Sequence, residues 1–391
     1  MLADADAAAV VPFTIDVPER DLADLRERLD RARWPDRETV DDWSQGVPLD
    51  YLQDLCGYWR HEYDWRATEA RLNRLGHYRT RVDGVDIHFV HVPSPEAGAL
   101  PLVMTHGWPG SVFEFEAVIG PLSDPAAYGG HARDAFSLVL PSLPGYGFSG
   151  KPAEAGWGIE RIADAWAQLM TRLGYGRFGA QGGDWGSSVT TCLAQQHPDR
   201  MLGILLTPPL AAPDPATFAD LTEAERASLD GLRHADASED GYSVEQSTKP
   251  QTIGYSLVDS PVGLCAWIVE KFRSWTDSGE LPEDALTRDQ MLDDITLYWL
   301  TATGASAARL YWESIREVQQ IFTTGTGDRV EVPTGGSLFA KENPRPSRRW
   351  ASRRFTDLRY WNELPRGGHF AAFEQPDLFV EEVRAFFRLV R

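Results

Sequence analysis

Phe178-Gly179-Ala180-Gln181-Gly182-Gly183-Asp184-Trp185-Gly186 is the stretch on which the fold turns: a short apolar run ends in a glycine-framed aspartate, and a helical pattern follows over residues 187–197. A Gly-x-nucleophile-x-Gly sequence between a strand and a helix makes a sharp elbow that lifts a side chain out of a sheet. Its flanking glycines permit a turn too tight for a Cβ. The nucleophile position holds Asp184 where many such elbows hold serine. Taken alone, the same residues fit an ordinary turn with Asp184 as a helix N-cap equally well.

His106-Gly107-Trp108-Pro109-Gly110 breaks that tie, because it follows another apolar run, residues 101–105. In the α/β-hydrolase fold, the loop at this place supplies one backbone N–H of an oxyanion hole, and the residue after the nucleophile supplies the other. Trp108 and Trp185 are the candidate donors. A Gly-Pro turn is the plainer alternative, and the strand-to-helix placement favours the functional one; His106 reads as structural. The third element is Arg366-Gly367-Gly368-His369-Phe370, after the last expected strand and before the last helix, where the chain order nucleophile, acid, histidine needs its base. Among nine histidines, His369 alone lies downstream of residue 234. The acid must lie between Asp184 and His369. Glu342 comes first on spacing, with Asp357 and Glu363 also in range.

Outward from these motifs, apolar runs at 136–140 and 201–206 join those already named, separated by helical patterns such as Ile159, Ile162, Trp166, Leu169, Met170 and Leu173. The alternation predicts a mostly parallel sheet covered by helices on both faces. Residues 79–90 alternate around Asp83-Gly84, which predicts a β-hairpin. Upstream, Leu22, Leu25, Leu29 and Ala32 share a helical face, as do Leu49, Leu52, Leu55, Trp59 and Tyr63, and a third helical stretch runs over 67–75. From Pro208-Pro209 to about residue 320 the pattern is helical and loop-like; strands resume at 329–333, 336–339 and 358–361, and a helix covers 376–390. Length alone would suggest two or three consecutive domains. The pattern predicts instead a helical N-terminal segment (1–77), an α/β-hydrolase core in two pieces (78–209 and 321–391), and a helical cap (210–320) inserted between them.

The balance of 58 acidic against 38 basic residues gives a formal charge of −20, which repels phosphate backbones and anionic lipid surfaces, so no nucleic-acid partner is expected. Cys56, Cys192 and Cys265 are odd in number and in no metal or redox spacing. Asp4 and Asp6 stand where a signal peptide would be apolar, and no apolar run approaches the roughly 18 residues of a membrane span. A cytoplasmic location is the expectation. The 14 tryptophans fit either packing or an aromatic-lined pocket, and nothing in the sequence selects a monomer or a homo-oligomer.

Together these motifs resemble the α/β-hydrolase-fold epoxide hydrolases, and more closely the microsomal and juvenile-hormone type with its bacterial relatives. The resemblance covers nearly the whole chain. It includes Pro12-Phe13-Thr14-Ile15, Trp34-Pro35, Trp43-Ser44-Gln45-Gly46, Tyr63-Asp64-Trp65-Arg66 and Leu72-Asn73, which are similar to that group's extra N-terminal domain. The transmembrane anchor of the microsomal enzymes has no counterpart in this sequence. The resemblance implies that Glu342, in Phe339-Ala340-Lys341-Glu342, is the acid partner of His369. It also implies that two cap tyrosines stand over the nucleophile: Tyr242, ahead of Thr248-Lys249-Pro250, and Tyr311, in Arg309-Leu310-Tyr311-Trp312-Glu313.

The implied reaction opens a small hydrophobic epoxide with water to a vicinal diol, through an ester on Asp184, without metal or cofactor. Relatives serve in detoxification, catabolism or natural-product tailoring, enediyne biosynthesis among them. A haloalkane dehalogenase would share the Asp nucleophile and the following Trp but would need no tyrosine acids. A non-catalytic binding protein of the same fold would have lost a member of the triad. Ser187 and Ser188 fall outside the elbow position, which disfavours a serine esterase.

Overall fold

A computed structural model describes residues 9–324 and 329–391. Residues 1–8, where Asp4 and Asp6 argue against a signal peptide, lie outside the described part. Nine strands form one sheet: β1 Val11–Pro12, β2 His77–Val82, β3 Val85–Val92, β4 Leu100–Thr105, β5 Phe136–Pro141, β6 Phe178–Gly183, β7 Met201–Thr207, β8 Thr334–Leu338 and β9 Leu358–Glu363. Their order across the sheet is β1-β2-β3-β5-β4-β6-β7-β8-β9. The first three strands and the β3–β5 pair are antiparallel. Every pair from β5 to β9 is parallel. This is the α/β-hydrolase fold that the alternation of short apolar runs and helices predicts.

Local chemistry accounts for the elements. The β2–β3 connection is two residues long, and both take positive φ, Asp83 at 46° and Gly84 at 83°, the backbone that matches the twist of a tight hairpin. The central strands β4 and β5 bury both faces apart from one half-buried position each, so they read as continuous apolar runs. The helix Ile159–Arg172 buries Ile159, Ile162, Trp166, Leu169 and Met170, the stripe its sequence lays on one face.

Several expectations need correction. Residues 329–333 form no strand; Val330 makes a single bridge to Phe355, and Pro333, which has no N–H to donate, precedes β8. The N-terminal segment is not purely helical, because Val11–Pro12 pairs with Arg79 and Tyr78 at the sheet edge; a two-residue strand is too short to leave an alternating pattern. Tyr63 lies beyond the helix Leu49–His61, and its hydroxyl instead donates to buried Asp293 at 2.7 Å. The third N-terminal helix is Trp65–Leu72. The last helix of the insertion, Gly304–Thr324, runs past residue 320.

The inserted helices include Glu223–His234, Gly241–Thr248, Pro261–Trp275 and Arg288–Leu300. The N-terminal segment clasps this cap: Trp59 Nε1 donates to Thr296 Oγ1 at 2.9 Å, and Thr68 Oγ1 donates to Asp293 at 2.6 Å. Glu225 ties the cap to the core. It closes a capping box with Thr222 and accepts from Ser347 Oγ at 2.7 Å and from Arg349 Nε at 3.0 Å and Nη2 at 2.6 Å. These contacts, Arg349 foremost, hold its carboxyl down at about 2. A depressed carboxyl contributes stability above the ordinary carboxylate range and loses it as pH falls towards its folded value. Glu225→Gln is expected to cost about 1.5–3 kcal/mol in urea unfolding at pH 7, with the gap to wild type shrinking as pH falls from 5 to 3. A gap that stays constant over that range would mean the carboxylate charge is not its source.

Candidate active site

The site sits where the strand order reverses. From β4 the chain steps outward to β5 on one side and then returns to β6 on the other, leaving a crevice at the carboxyl ends of β4 and β6. Their parallel register pairs Thr105 with Gly182. The loops holding His106-Gly107-Trp108-Pro109-Gly110 and Asp184 therefore lie side by side.

Asp184 links β6 to the helix Trp185–Gln196 at φ 51°, ψ −128°. The left-handed strain of the elbow thus falls on the candidate nucleophile itself, a conformation that persists only where the surroundings impose it. The flanking glycines serve close approach. A Cβ on Gly182 would lie 2.1 Å from the Gly186 carbonyl oxygen, and one on Gly186 would lie 1.9 Å from that of Thr105. A Cβ on Gly107 would stand 2.1 Å from Asp184 Oδ1, so glycine there lets the carboxylate rest against the neighbouring loop.

That carboxylate accepts the Trp108 backbone N–H on Oδ1 at 2.8 Å. Trp185 opens the following helix, so its N–H is a first-turn donor with no intrahelical acceptor. Oδ2 lies 3.5 Å from His369 Nε2, and His369 Nδ1 lies 3.0 Å from Glu342 Oε1. Glu342 comes from the loop after β8 and His369 from the loop after β9. The other two carboxylates in range lie elsewhere: Asp357 pairs with Arg359 at 2.7 Å, and Glu363 faces Trp361 Nε1 at 3.4 Å. Burial opposes a charge on His369, but Glu342 and Asp184 outweigh it and hold the imidazolium well above the ordinary histidine range. His106 is different. Both of its ring nitrogens are engaged, by Leu143 N–H at 3.2 Å and Gly107 O at 2.9 Å, and burial lowers it to about 4, so it is a neutral packing residue.

The two tyrosines come from the cap helices Gly241–Thr248 and Gly304–Thr324. Their rings are 5.7 Å apart. Tyr242 stacks on Trp108 at 4.9 Å, and Tyr311 meets Trp185 edge-on at 4.8 Å, so the two tryptophans that flank the carboxylate also position the phenols. Burial, reinforced by the Asp184 charge, raises both phenols above the ordinary tyrosine value and keeps them protonated donors. Asp184, His369, Glu342, Tyr242, Tyr311 and Trp185 all line one cavity of about 600 Å³. Its wall also carries Leu232, Ile315, Val318 and Phe322.

Sequence reasoning missed Trp275 and Glu114. Trp275 accepts the His369 backbone N–H at 2.8 Å and packs its ring 4.9 Å from the imidazole; it arrives from the end of a cap helix, and no local signal marks it. Glu114 sits four residues beyond Gly110, inside the second motif's own segment, and only its tertiary surroundings distinguish it from a solvated glutamate.

Residues 10–115 match the family described as epoxide hydrolase N terminus, and residues 101–239 match the α/β hydrolase fold family. The chain is 52% identical to a protein of Stigmatella aurantiaca whose name assigns it provisionally to the epoxide hydrolases, over 98% of this chain and 86% of that one. It is 36% identical to epoxide hydrolase 1 of Oryctolagus cuniculus, over 98% and 89% of the two chains. The solved structure of Aspergillus niger epoxide hydrolase superposes with a TM-score of 0.87 at 31% identity, covering 99% of this chain and 98% of that one. Among the described residues, no single helix is long and apolar enough to cross a membrane.

Proposed function

The chain belongs to the epoxide hydrolase family, and from that premise we propose that it opens a small hydrophobic epoxide to a vicinal diol through a covalent ester on Asp184. Supporting this reading is one observation above all: a strained, hydrogen-bonded carboxylate faces a His–carboxylate pair beneath two buried phenols. An epoxide is a strained electrophile whose leaving oxygen needs a proton, and neutral water attacks it slowly. Aspartate ionises near 3.9, so it is a ready nucleophile at neutral pH without a base.

In the first step an Asp184 oxygen bonds to a ring carbon as the C–O bond breaks, and Tyr242 or Tyr311 gives its proton to the leaving oxygen. The products are a hydroxyalkyl ester and a tyrosinate. Ester formation removes the Asp184 charge that helps hold His369 protonated, so the imidazole's pKa falls, its proton is released to solvent and the neutral form becomes available as base. His369, oriented by Glu342, then takes a proton from water as the water oxygen attacks the ester carbonyl carbon. The Trp108 and Trp185 N–H groups stabilise the oxyanion. His369 returns the proton to the departing diol, the proton left on the Asp184 carboxyl restores the tyrosine, and His369 takes a proton back from solvent as the Asp184 charge returns. The apolar wall of Leu232, Ile315, Val318 and Phe322 suits a hydrophobic substrate body.

The reading predicts diol formation from styrene-type, terpene or polyketide-like epoxides. Removing one phenol, by Tyr242→Phe or Tyr311→Phe, should lower kcat/KM about 10- to 100-fold, and removing both should lower it on the order of 10⁴-fold. A double variant that retains wild-type diol formation would refute the acid role. Dehalogenation is the second reading, favoured by the buried Trp185 Nε1, which has no hydrogen-bond partner among the described residues. Halide release from a haloalkane, with no diol from any epoxide, would select it. Detoxification or catabolism and natural-product tailoring all require the same diol chemistry, and the neighbouring genes separate them.

A further inference from the structure

A second, small cavity of about 20 Å³ lies against the candidate nucleophile and shares only Asp184 and His369 with the large one. Among the described residues, none from the cap lines it. Its walls include Glu114, Gln181 and Thr207 as well as Phe370 and Phe379. A void of roughly 10–15 Å³ admits one water, which stays when it finds two to four polar partners. Such partners are present. Gln181 Oε1 is buried without a hydrogen-bond partner among the described residues, while its Nε2 is already committed to Thr207 Oγ1 at 3.2 Å.

Glu114 stands on the short helix Val112–Phe115. Its Oε1 lies 1.5 Å from where a Cβ on Gly110 would be, so the glycine that ends the second motif makes room for this carboxyl group just as Gly107 makes room for Asp184. Burial raises the Glu114 carboxyl well above the ordinary range, Asp294 and Asp184 add to the rise, and His369 opposes it. This carboxyl lines the small cavity and can accept a hydrogen bond from a water there.

We propose that Glu114 is a positioning residue of the hydrolytic half-reaction, holding with Gln181 one water in the small cavity between Asp184 and His369 and aiming it at the Asp184 ester. The inference rests on the ester mechanism above. The water oxygen bonds to Asp184 Cγ as His369 Nε2 removes one of its hydrogens. Its second hydrogen stays on the oxygen, held by the Glu114 carbonyl. The ester C–O bond then breaks, and the proton on His369 leaves with the diol; nothing is oxidised or reduced.

Single-turnover quench experiments on the whole enzyme test this by separating ester formation from ester hydrolysis. Glu114→Leu should form ester within about threefold of the wild-type rate and hydrolyse it about 10- to 100-fold more slowly, the scale of a misplaced reactant. Glu114→Gln, which keeps a carbonyl acceptor, should recover most of the hydrolysis rate. Gln181→Leu removes the other acceptor and should give the same split, so it serves if the first variant does not fold. Equal loss in both steps would mean a merely structural role, and unchanged hydrolysis would mean no role; either overturns the proposal. Wild-type enzyme is the control that separates the two ideas. If it forms no ester at all, the mechanism itself fails, whereas wild-type ester with normal hydrolysis in the variants sinks only the part assigned to Glu114.

Discussion

Asp184→Ala is expected to abolish diol formation, with kcat/KM down on the order of 10⁴-fold or more, because the remaining groups have no nucleophile to act on. The cavity, the phenols and the Trp108 N–H would remain, so binding of a hydrophobic epoxide should change far less than turnover. Position 184 carries φ 51° and ψ −128°, a backbone that alanine adopts no more easily than aspartate, and an unfolding midpoint confirms that the variant is folded. The companion experiment on wild type uses ¹⁸O-labelled water in a single turnover. The first diol should carry an unlabelled oxygen from Asp184, and the label should appear in the Asp184 carboxyl group. Label entering the diol directly would refute the covalent path and leave Asp184 as a base.

His369→Gln has the second large effect, and it falls on a different step. Ester formation should persist while hydrolysis drops on the order of 10³- to 10⁴-fold, so the enzyme should accumulate one equivalent of covalent adduct, visible by mass as Asp184 plus substrate. A variant that shows no adduct under substrate would remove His369 from the second step. The same assignment fixes a pH signature. Glu342 and Asp184 both favour the charged imidazole in the resting enzyme, and alkylation neutralises Asp184. The rate of ester hydrolysis should therefore rise with pH around a midpoint below the resting pKa of His369, measured by NMR in the absence of substrate. A midpoint equal to the resting value would mean that the Asp184 charge contributes nothing.

Much of the site was readable in one dimension. Gly182, Gly186 and Gly107 each stand where a Cβ would meet backbone or the carboxylate itself at about 2 Å, and no other residue type meets that demand. The histidine was identifiable from its Gly-Gly setting and its place after the last strand. The acid was less so: spacing put Glu342 only first among several candidates, with Asp357 and Glu363 in range, and the family resemblance was needed to select it. In the fold, Asp357 turns to Arg359 while Glu342 meets His369. The tyrosines likewise depended on resemblance, since a tyrosine in a cap helix has no local mark that separates packing from catalysis. The tryptophan excess gained a partial account, with Trp108, Trp185 and Trp275 framing Asp184, Tyr242, Tyr311 and His369. Other tryptophans, such as Trp166 and Trp350, are packed in the core.

What the sequence by itself determined, then, is the parallel-sheet core, the elbow, the facing loop and the place of His369, because each follows from short-range constraints: the period of apolar residues, the room a glycine leaves, the order of motifs along the chain. The tertiary structure alone decided that Val11–Pro12 extends the sheet and that residues 329–333 make one bridge rather than a strand. It also decided that Glu114 and Gln181 line a second cavity against Asp184. Protonation belongs to this second class as well. A pKa sums burial and charge over groups far apart in the chain, so the upward shifts of His369 and Glu114 exist only once burial and the charges of Asp184, Asp294 and Glu342 have been brought to bear.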